Sequence, residues 1–381
     1  MKIANISAAA YSVPVEIPLA KRKFHLPFVL VTVETEDGQT GTGLCGGNEF
    51  TPAIAYFMNH RAARALKGEN PLDTNRLWRL LWTKYNVRGY TGVWSSAVSA
   101  LDIAFWDLKG KALGLPIATL LGGARPDAPT YITFGVAEYS REQLAEAAAL
   151  LASQGHRRVK MVVGGSKHMA QGEGDTNDGR VTRASLAEDA ARVRAVREAV
   201  GPDVEVMVDA NCLLTAAEAS YLCDRIREYD LSFFEEPVIA NDWRALREVR
   251  RTAGMRISAG QNLGHQWAHR ELIVNEAVDI SQPNVCHGGG YTECQRVAAL
   301  ARAYNLPIAN GGAWPHHNMH LHAGVENGGL VEFHWLAWRA GDVVFDAPPT
   351  TANGTVVIPD APGLGFNPRP ANEIAEFRAE A

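Results

Sequence analysis

Between residues 131 and 310, seven short apolar runs alternate with amphipathic helical segments, and this alternation constrains the fold more than any other feature of the chain. The runs occupy residues 131–136, 158–163, 204–209, 232–235, 256–259, 279–284 and 306–310. Helix-start signals lie between them: Ser140 with Gln143, Ser185 with Glu188 and Thr215 with Glu218 each have the spacing of a capping box. Strands joined through helices pair in parallel. Seven or eight such units in roughly 220 residues suit an α/β fold with a TIM-type (β/α) barrel better than a doubly wound sheet. No G-x-G-x-x-G follows a strand and opens a helix, so a dinucleotide-binding sheet has no support.

The flanks of this region read differently, as they should in a chain of 381 residues, because single cores stop growing near about 250–300 residues. Residues 1–50 read as β. The N-terminal run alternates apolar and polar residues, like a strand and unlike a signal peptide, and Glu36-Asp37-Gly38 marks a hairpin turn. Residues 94–110 then repeat apolar positions at helical spacing, with small residues that permit close packing, until Gly122-Gly123 and Pro126 break the pattern. The expected organisation is an α+β domain over residues 1–125, a barrel over 126–349, and a Pro- and Gly-rich tail over 350–381 that returns to the first domain. With 37 basic and 42 acidic side chains spread along the chain, nucleic acid is not an expected partner. No apolar stretch is long enough for a membrane span. Five cysteines without CxxC spacing fit reduced thiols in a cytoplasmic protein.

In barrels of this kind, chemistry sits where the strands end, because those loops share one face. Three expected strand ends carry oxygen-bearing side chains: Val208-Asp209-Ala210-Asn211, Phe234-Glu235-Glu236-Pro237 and Ala259-Gly260-Gln261-Asn262. Asp209, Glu235 and Gln261 follow one another at a constant step of about one βα unit, which places them on neighbouring strands facing one cavity. Converging oxygen ligands suit a hard cation such as Mg²⁺. Taken singly, each position also suits a helix cap or a salt-bridged strand end; three in register weaken that reading.

With these motifs the chain resembles the enolase superfamily, in its mandelate racemase/muconate lactonizing enzyme type. The resemblance runs nearly end to end. Its most specific parts are residues 99–110 (SALDIAFWDLKG) through Leu121-Gly122-Gly123, the Asp209 and Glu235 motifs, and Gly289-Gly290. It implies a capping domain over the barrel mouth, completed by the tail, and a Mg²⁺ ion that holds a substrate carboxylate while a base removes the α-proton to give an enediolate. Carried over, Asp209, Glu235 and Gln261 are the metal ligands, and Asn211, Glu236 and Asn284 support them. Family members are commonly homo-oligomers.

Four positions depart from the family pattern. The third ligand is Gln261 where Glu is usual, so either an amide oxygen coordinates in a site with one less negative charge or the metal is lost. The Lys-x-Lys after Gly155 becomes Lys160 and Val162, leaving Lys160 to neutralise the substrate carboxylate or act as base. Asn284 stands where an Asp normally partners a catalytic His, with His287 three residues on. Gly311 stands where that His is expected. Trp314-Pro315-His316-His317-Asn318-Met319 instead resembles the Pro-His-x-x-Met stretch of talarate and galactarate dehydratases, which makes His316 the catalytic histidine. His317 is the second choice, and helix capping or a second cation is the alternative for the whole group. Glu332 matches the family's late-strand acid, a hydrogen-bond donor to the carboxylate. Lys21, Arg22 and His25, on a loop that closes over the substrate in the family, are candidate substrate contacts with Trp314, or else part of a solvated basic hairpin. The Gly-rich insertion at 164–183 reads as a lid or a linker.

Racemisation needs bases on both faces of the α-carbon, which Val162 and Asn284 disfavour. Dehydration needs one base and an acid for the departing hydroxyl. The expected activity is therefore Mg²⁺-dependent elimination of water from a hydroxy (sugar) acid through an enediolate, by a hydro-lyase. A cycloisomerase or epimerase using the same intermediate, or a barrel that binds ligand without chemistry, are the alternatives.

Overall fold

The turn at residues 36–38 joins two strands as its sequence implies. β2 (Lys23–Thr35) pairs antiparallel with β3 (Thr40–Gly46), and β1 (Ile3–Glu16) lies on the other side of β2. This computed structural model describes residues 1–19, 23–85, 91–136, 138–164 and 181–379. Lys21, Arg22 and residues 165–180 of the Gly-rich insertion lie outside the described residues. Helices α1 (Thr74–Tyr85) and α2 (Val93–Leu113) complete the N-terminal layer, and α2 packs on β3. The small residues allow this contact: a Cβ at Gly43 would fall 2.9 Å from the Ala100 carbonyl carbon and 3.0 Å from the Ala104 nitrogen.

The alternating region builds a barrel-like sheet. Its parallel strands are, in order, β4 (Asp127–Thr133), β5 (Arg158–Val162), β6 (Glu205–Asp209), β7 (Leu231–Glu235), β8 (Arg256–Ala259) and β9 (Ile280–Ser281). β10 (Val331–His334) returns to pair with β4 on its free side. The run at 306–310 forms no regular strand; Ile308 makes single bridges to Ser281 and Gly328. The connecting helices are α3 (Arg141–Ser153), α4 (Arg183–Val200), α5 (Ala216–Ile226), α6 (Trp243–Thr252), α7 (Gln266–Val274), α8 (Gly290–Ala303), α9 (Pro315–Gly324) and α10 (Trp335–Val344).

Capping boxes start α3 at Ser140 and α5 at Thr215, as the spacing predicts. The start of α4 is corrected. Thr182 caps it, with Ser185 as the third helical residue, while Glu188 accepts a hydrogen bond from Arg141 Nε at 2.9 Å. In the tail, β12 (Thr351–Ala352) and β13 (Thr355–Val357) extend the sheet antiparallel to β4. Beyond them the Leu364 N–H donates to Asp107 on α2 (3.0 Å) and the Ala379 N–H to the Ala10 carbonyl on β1 (3.0 Å). Among the described residues no helix is long and apolar enough to cross a membrane.

Strand periodicity layers the barrel interior. Tyr131, Met207, Phe233, Ile280 and Ala309 form one buried apolar cluster. Side chains repeat every second residue on a strand face, so the next inward positions toward the C-terminal ends are Thr133, Asp209, Glu235, Gln282 and Gly311. An apolar floor thus carries a polar layer directly above it.

Candidate active site

Lys160 pairs in register with Met207 of the apolar floor, one step below Asp209, which pairs with Val162. Its long side chain rises from that level and ends among three carboxylates. Nζ lies 2.5 Å from Glu235, 3.0 Å from Glu332 and 3.2 Å from Asp209, and 5.3 Å from the centre of the Tyr131 ring. All four charged side chains are buried. Burial alone would depress the Lys160 pKa, but Glu235 and Glu332 outweigh it and keep the amine protonated well above its usual range. The Glu235 carboxyl is pushed well above the carboxylate range, first by burial and then by Asp209 and Glu332, with Lys160 offsetting only part.

Glu332 shows the opposite outcome. Burial would raise its pKa, yet Lys160 and then His334 hold it low, helped by hydrogen bonds from the Thr133 hydroxyl and the Ala313 N–H (2.6 Å). Both oxygens therefore accept.

The oxygen donors for a cation can be tested on their surroundings. Glu235 Oε1 is buried and has no hydrogen-bond partner among the described residues. A Cβ at Gly311 would fall 2.7 Å from Glu235 Oε1 and 3.0 Å from Gln261 Oε1, so both oxygens border the same small gap. The Gln261 amide cannot flip freely: its Nε2 donates to Glu236 Oε2 at 2.7 Å, which turns Oε1 toward that gap. Asn241 donates to the other Glu236 oxygen at 2.8 Å. Asp209 is fixed by the Asn211 N–H, 2.7 Å from Oδ1. Among the described residues no group of three or more His, Cys, Asp or Glu is arranged to hold a metal; here the third oxygen comes from an amide. A carboxylate oxygen and an amide oxygen at one gap, with the Asp209 carboxylate on the neighbouring strand, are donors of the kind a hard divalent cation takes.

Several expected residues stand elsewhere. His316 is fully buried on α9 among Phe333, Phe345 and Phe366, with ring centroids about 6 Å away, on the outer side of β10. Desolvation pushes its pKa down to about 4. His317 packs on the same Phe345 and Phe366 rings. Neither histidine joins the carboxylate cluster, because Phe333 alternates outward between the inward Glu332 and His334 and takes α9 with it. Asn284 does not orient an imidazole. Its amide donates to the Gly311 carbonyl at 2.6 Å and its oxygen accepts from the Cys286 N–H at 2.8 Å and the Asn318 amide at 3.1 Å, so it braces the 311–313 loop. His25 is exposed on β2, and its neighbour Phe24 faces the barrel instead. Trp314 is buried against Phe28 at the junction with the N-terminal layer, with centroids 5.5 Å apart.

A cavity of about 260 Å³ lies over this cluster, between the barrel mouth and the N-terminal layer. Thr133, Val162, Asn211 and His334 line it from the barrel, Ile17 and Phe24 from above. Asn211 Nδ2 has no hydrogen-bond partner among the described residues. Asn211, Glu236, Ala313 and Trp314, all just beyond strand ends, have positive φ between 42° and 69°, and such strained positions cluster at functional sites. His334 escaped the sequence reading although a signal existed: two residues after Glu332 on one strand, it shares that residue's face.

Comparison with known proteins agrees with this architecture. Residues 4–122 match the mandelate racemase/muconate lactonizing enzyme N-terminal domain family, and residues 142–372 match the enolase C-terminal domain-like family. The chain is 30% identical over 376 residues to D-galactarolactone cycloisomerase of Agrobacterium fabrum, covering 92% of this chain and 91% of that protein. It is 27% identical over 350 residues to arabinonate dehydratase of Saccharolobus solfataricus, covering 90% and 89%. The crystal structure of a racemase from Streptomyces coelicolor with bound magnesium superimposes with a TM-score of 0.87 at 28% identity, covering 99% of this chain and 100% of that one. The chain belongs to the enolase superfamily, in its mandelate racemase/muconate lactonizing enzyme type.

Proposed function

We propose that this protein is a Mg²⁺-dependent hydro-lyase that removes the α-proton of a sugar-acid carboxylate and eliminates water. The observation that carries this reading is the one-sided distribution of proton-transfer groups. Lys160 on β5 and Glu332 on β10 stand on the two strands that flank β4, with Lys160 Nζ 3.0 Å from Glu332. The opposite wall ends in Asn284, Gly311 and Gly312, which carry no acid or base, and His287 beside them is engaged with the Gly312 backbone, its pKa lowered to about 4 by burial. One-sided chemistry suits elimination, where the proton and the leaving group depart from one face, and does not suit racemisation.

Asp209, Glu235 and Gln261 would hold the cation, which when bound supplies Lewis-acid stabilisation for charge developing on the substrate carboxylate. Lys160 is the base on the β5 side: a cation held by Asp209 and Glu235 would neutralise two of the three carboxylates that keep its amine protonated, freeing Nζ to take the α-proton. Glu332 and Tyr131 keep its ammonium form stable afterwards, so the proton is held at Nζ until it exchanges. Asn211 Nδ2 offers a hydrogen bond to a substrate oxygen in the cavity. Phe24, Ile17 and Val162 exclude water from the same space. The magnesium-bound racemase structure and the arabinonate dehydratase similarity support the metal and the substrate class.

A second reading is favoured by the similarity to D-galactarolactone cycloisomerase. The same one-sided site would then expel a ring oxygen instead of a hydroxyl. Incubation with Mg²⁺ and a panel of aldonates, aldarates and their lactones separates the two. Release of a 2-keto-3-deoxy acid from an open-chain substrate supports dehydration; turnover of lactones alone supports cycloisomerisation. No turnover anywhere in the panel, with no Mg²⁺ bound, rejects both.

A further inference from the structure

We infer that His334 is the catalytic acid that protonates the departing hydroxyl. This rests on the reading above, in which Lys160 takes the α-proton. Three independent features of the fold lead to it. First, β10 pairs with β4 so that His334 stands opposite Thr133 and Glu332 opposite Tyr131. Alternation along the strand points both Glu332 and His334 inward, about 6.8 Å apart along the strand. Second, His334 is only partly buried and lines the 260 Å³ cavity with Thr133, Val162 and Asn211. Third, no other histidine among the described residues lines that cavity. Those of α9 are buried in its packing. His287 is turned toward the N-terminal layer, where a Cβ at Gly46 would fall 2.8 Å from its Cε1 and 3.0 Å from Trp314 Nε1.

Glu332 links the two proton-transfer groups. It bonds Lys160 directly at 3.0 Å and interacts electrostatically with His334 on the same strand face. Lys160 and His334 thus flank one carboxylate, with His334 lining the cavity and Lys160 buried beside Glu332. The step balances as follows. Lys160 Nζ takes the α-proton, and the former C–H electron pair is first delocalised onto the substrate carboxylate as an enediolate; it then forms the Cα–Cβ π bond as the Cβ–O bond breaks. The oxygen leaves with that bond's electrons and takes a proton from His334, departing as water. The enol product ketonises by taking a proton at Cβ and releasing its hydroxyl proton to solvent, giving the 2-keto acid.

The test uses the full-length protein with Mg²⁺ in D₂O and the five- and six-carbon aldonates and aldarates. The expected result for His334→Gln is 2-keto acid formation lowered by about 10²-fold or more. Deuterium exchange at the α-carbon should stay within about threefold of wild type, because Lys160 still works. The thermal midpoint should be unchanged, and added imidazole should restore part of the elimination in His334→Gly. A merely structural role would lower exchange and elimination together. Elimination within about threefold of wild type, or equal loss of both reactions in a folded variant, overturns the assignment. A wild type that neither exchanges nor eliminates across the panel overturns the parent reading, and this one with it.

Discussion

Lys160 and His316 are both fully buried and both titratable, yet the molecule keeps one charged and the other neutral. Three carboxylates surround the Lys160 ammonium, and their attraction outweighs its desolvation. Three phenylalanine rings surround His316, with nothing to offset desolvation, so its pKa falls to about 4. The difference teaches that burial does not mark chemistry by itself. A buried group that meets converging charges beside a cavity can move protons, whereas one that meets aromatic rings is packing.

The sharpest way to break the comparison is to remove each member. Lys160→Met should abolish 2-keto acid formation, by about 10³-fold or more. Without metal the variant should also lose roughly 3–5 kcal/mol of stability, because three carboxylates lose their counter-charge. Mg²⁺ should then raise its melting temperature more than that of wild type. Equal Mg²⁺ stabilisation of the two proteins would mean that the cation does not meet these carboxylates.

The helix side of the comparison predicts acid sensitivity. His316 and His320 have pKa values lowered to about 4, and His269 and His322 to about 3, in each case chiefly by burial. From the ordinary value of about 6.5 down to those values, the unfolded chain binds protons that the folded chain refuses. Stability is thus present above about pH 6.5 and is lost as the pH falls toward 4, by about 2 kcal/mol per histidine at pH 5. Urea midpoints at pH 7 and pH 5 measure this, and His316→Gln should shrink the pH-dependent loss by about that amount. A loss identical to wild type would show that His316 already has a partner for its charged form.

The smallest expected effect is at Gln261. In Gln261→Glu the new carboxylate would face Glu236 where an amide now donates at 2.7 Å. The metal-free protein should lose about 1–2 kcal/mol, while Mg²⁺ should bind about tenfold tighter through the added charge, read by calorimetry. Unchanged affinity would remove Gln261 from the ligand set.

How legible the site was in the sequence follows the same division. Strand periodicity brought Asp209 and Glu235 to one polar layer, because alternation is local, and Gln261 lies beyond the end of β8 at the gap it shares with Glu235. The β strands of the N-terminal layer and two of three capping boxes were equally local. The α9 histidines were misread because a motif resemblance carries no information about which side of β10 the helix packs on. That depends on Phe333, a contact distant in sequence. The partners of Asn284 were not legible for a related reason: Gly311 lies on a loop and Asn318 on α9, and no local pattern sets the path of either. His334 was within reach of the alternation argument applied two residues past Glu332.

The most direct test of the central claim is α-proton exchange in D₂O with Mg²⁺, followed by NMR for wild type, Lys160→Met and His316→Gln on one sugar acid that the wild type turns over. The account predicts metal-dependent exchange in wild type, its loss in Lys160→Met, and a rate within about threefold of wild type in His316→Gln. Exchange that survives in a folded Lys160→Met protein but disappears in a folded His316→Gln protein would contradict it.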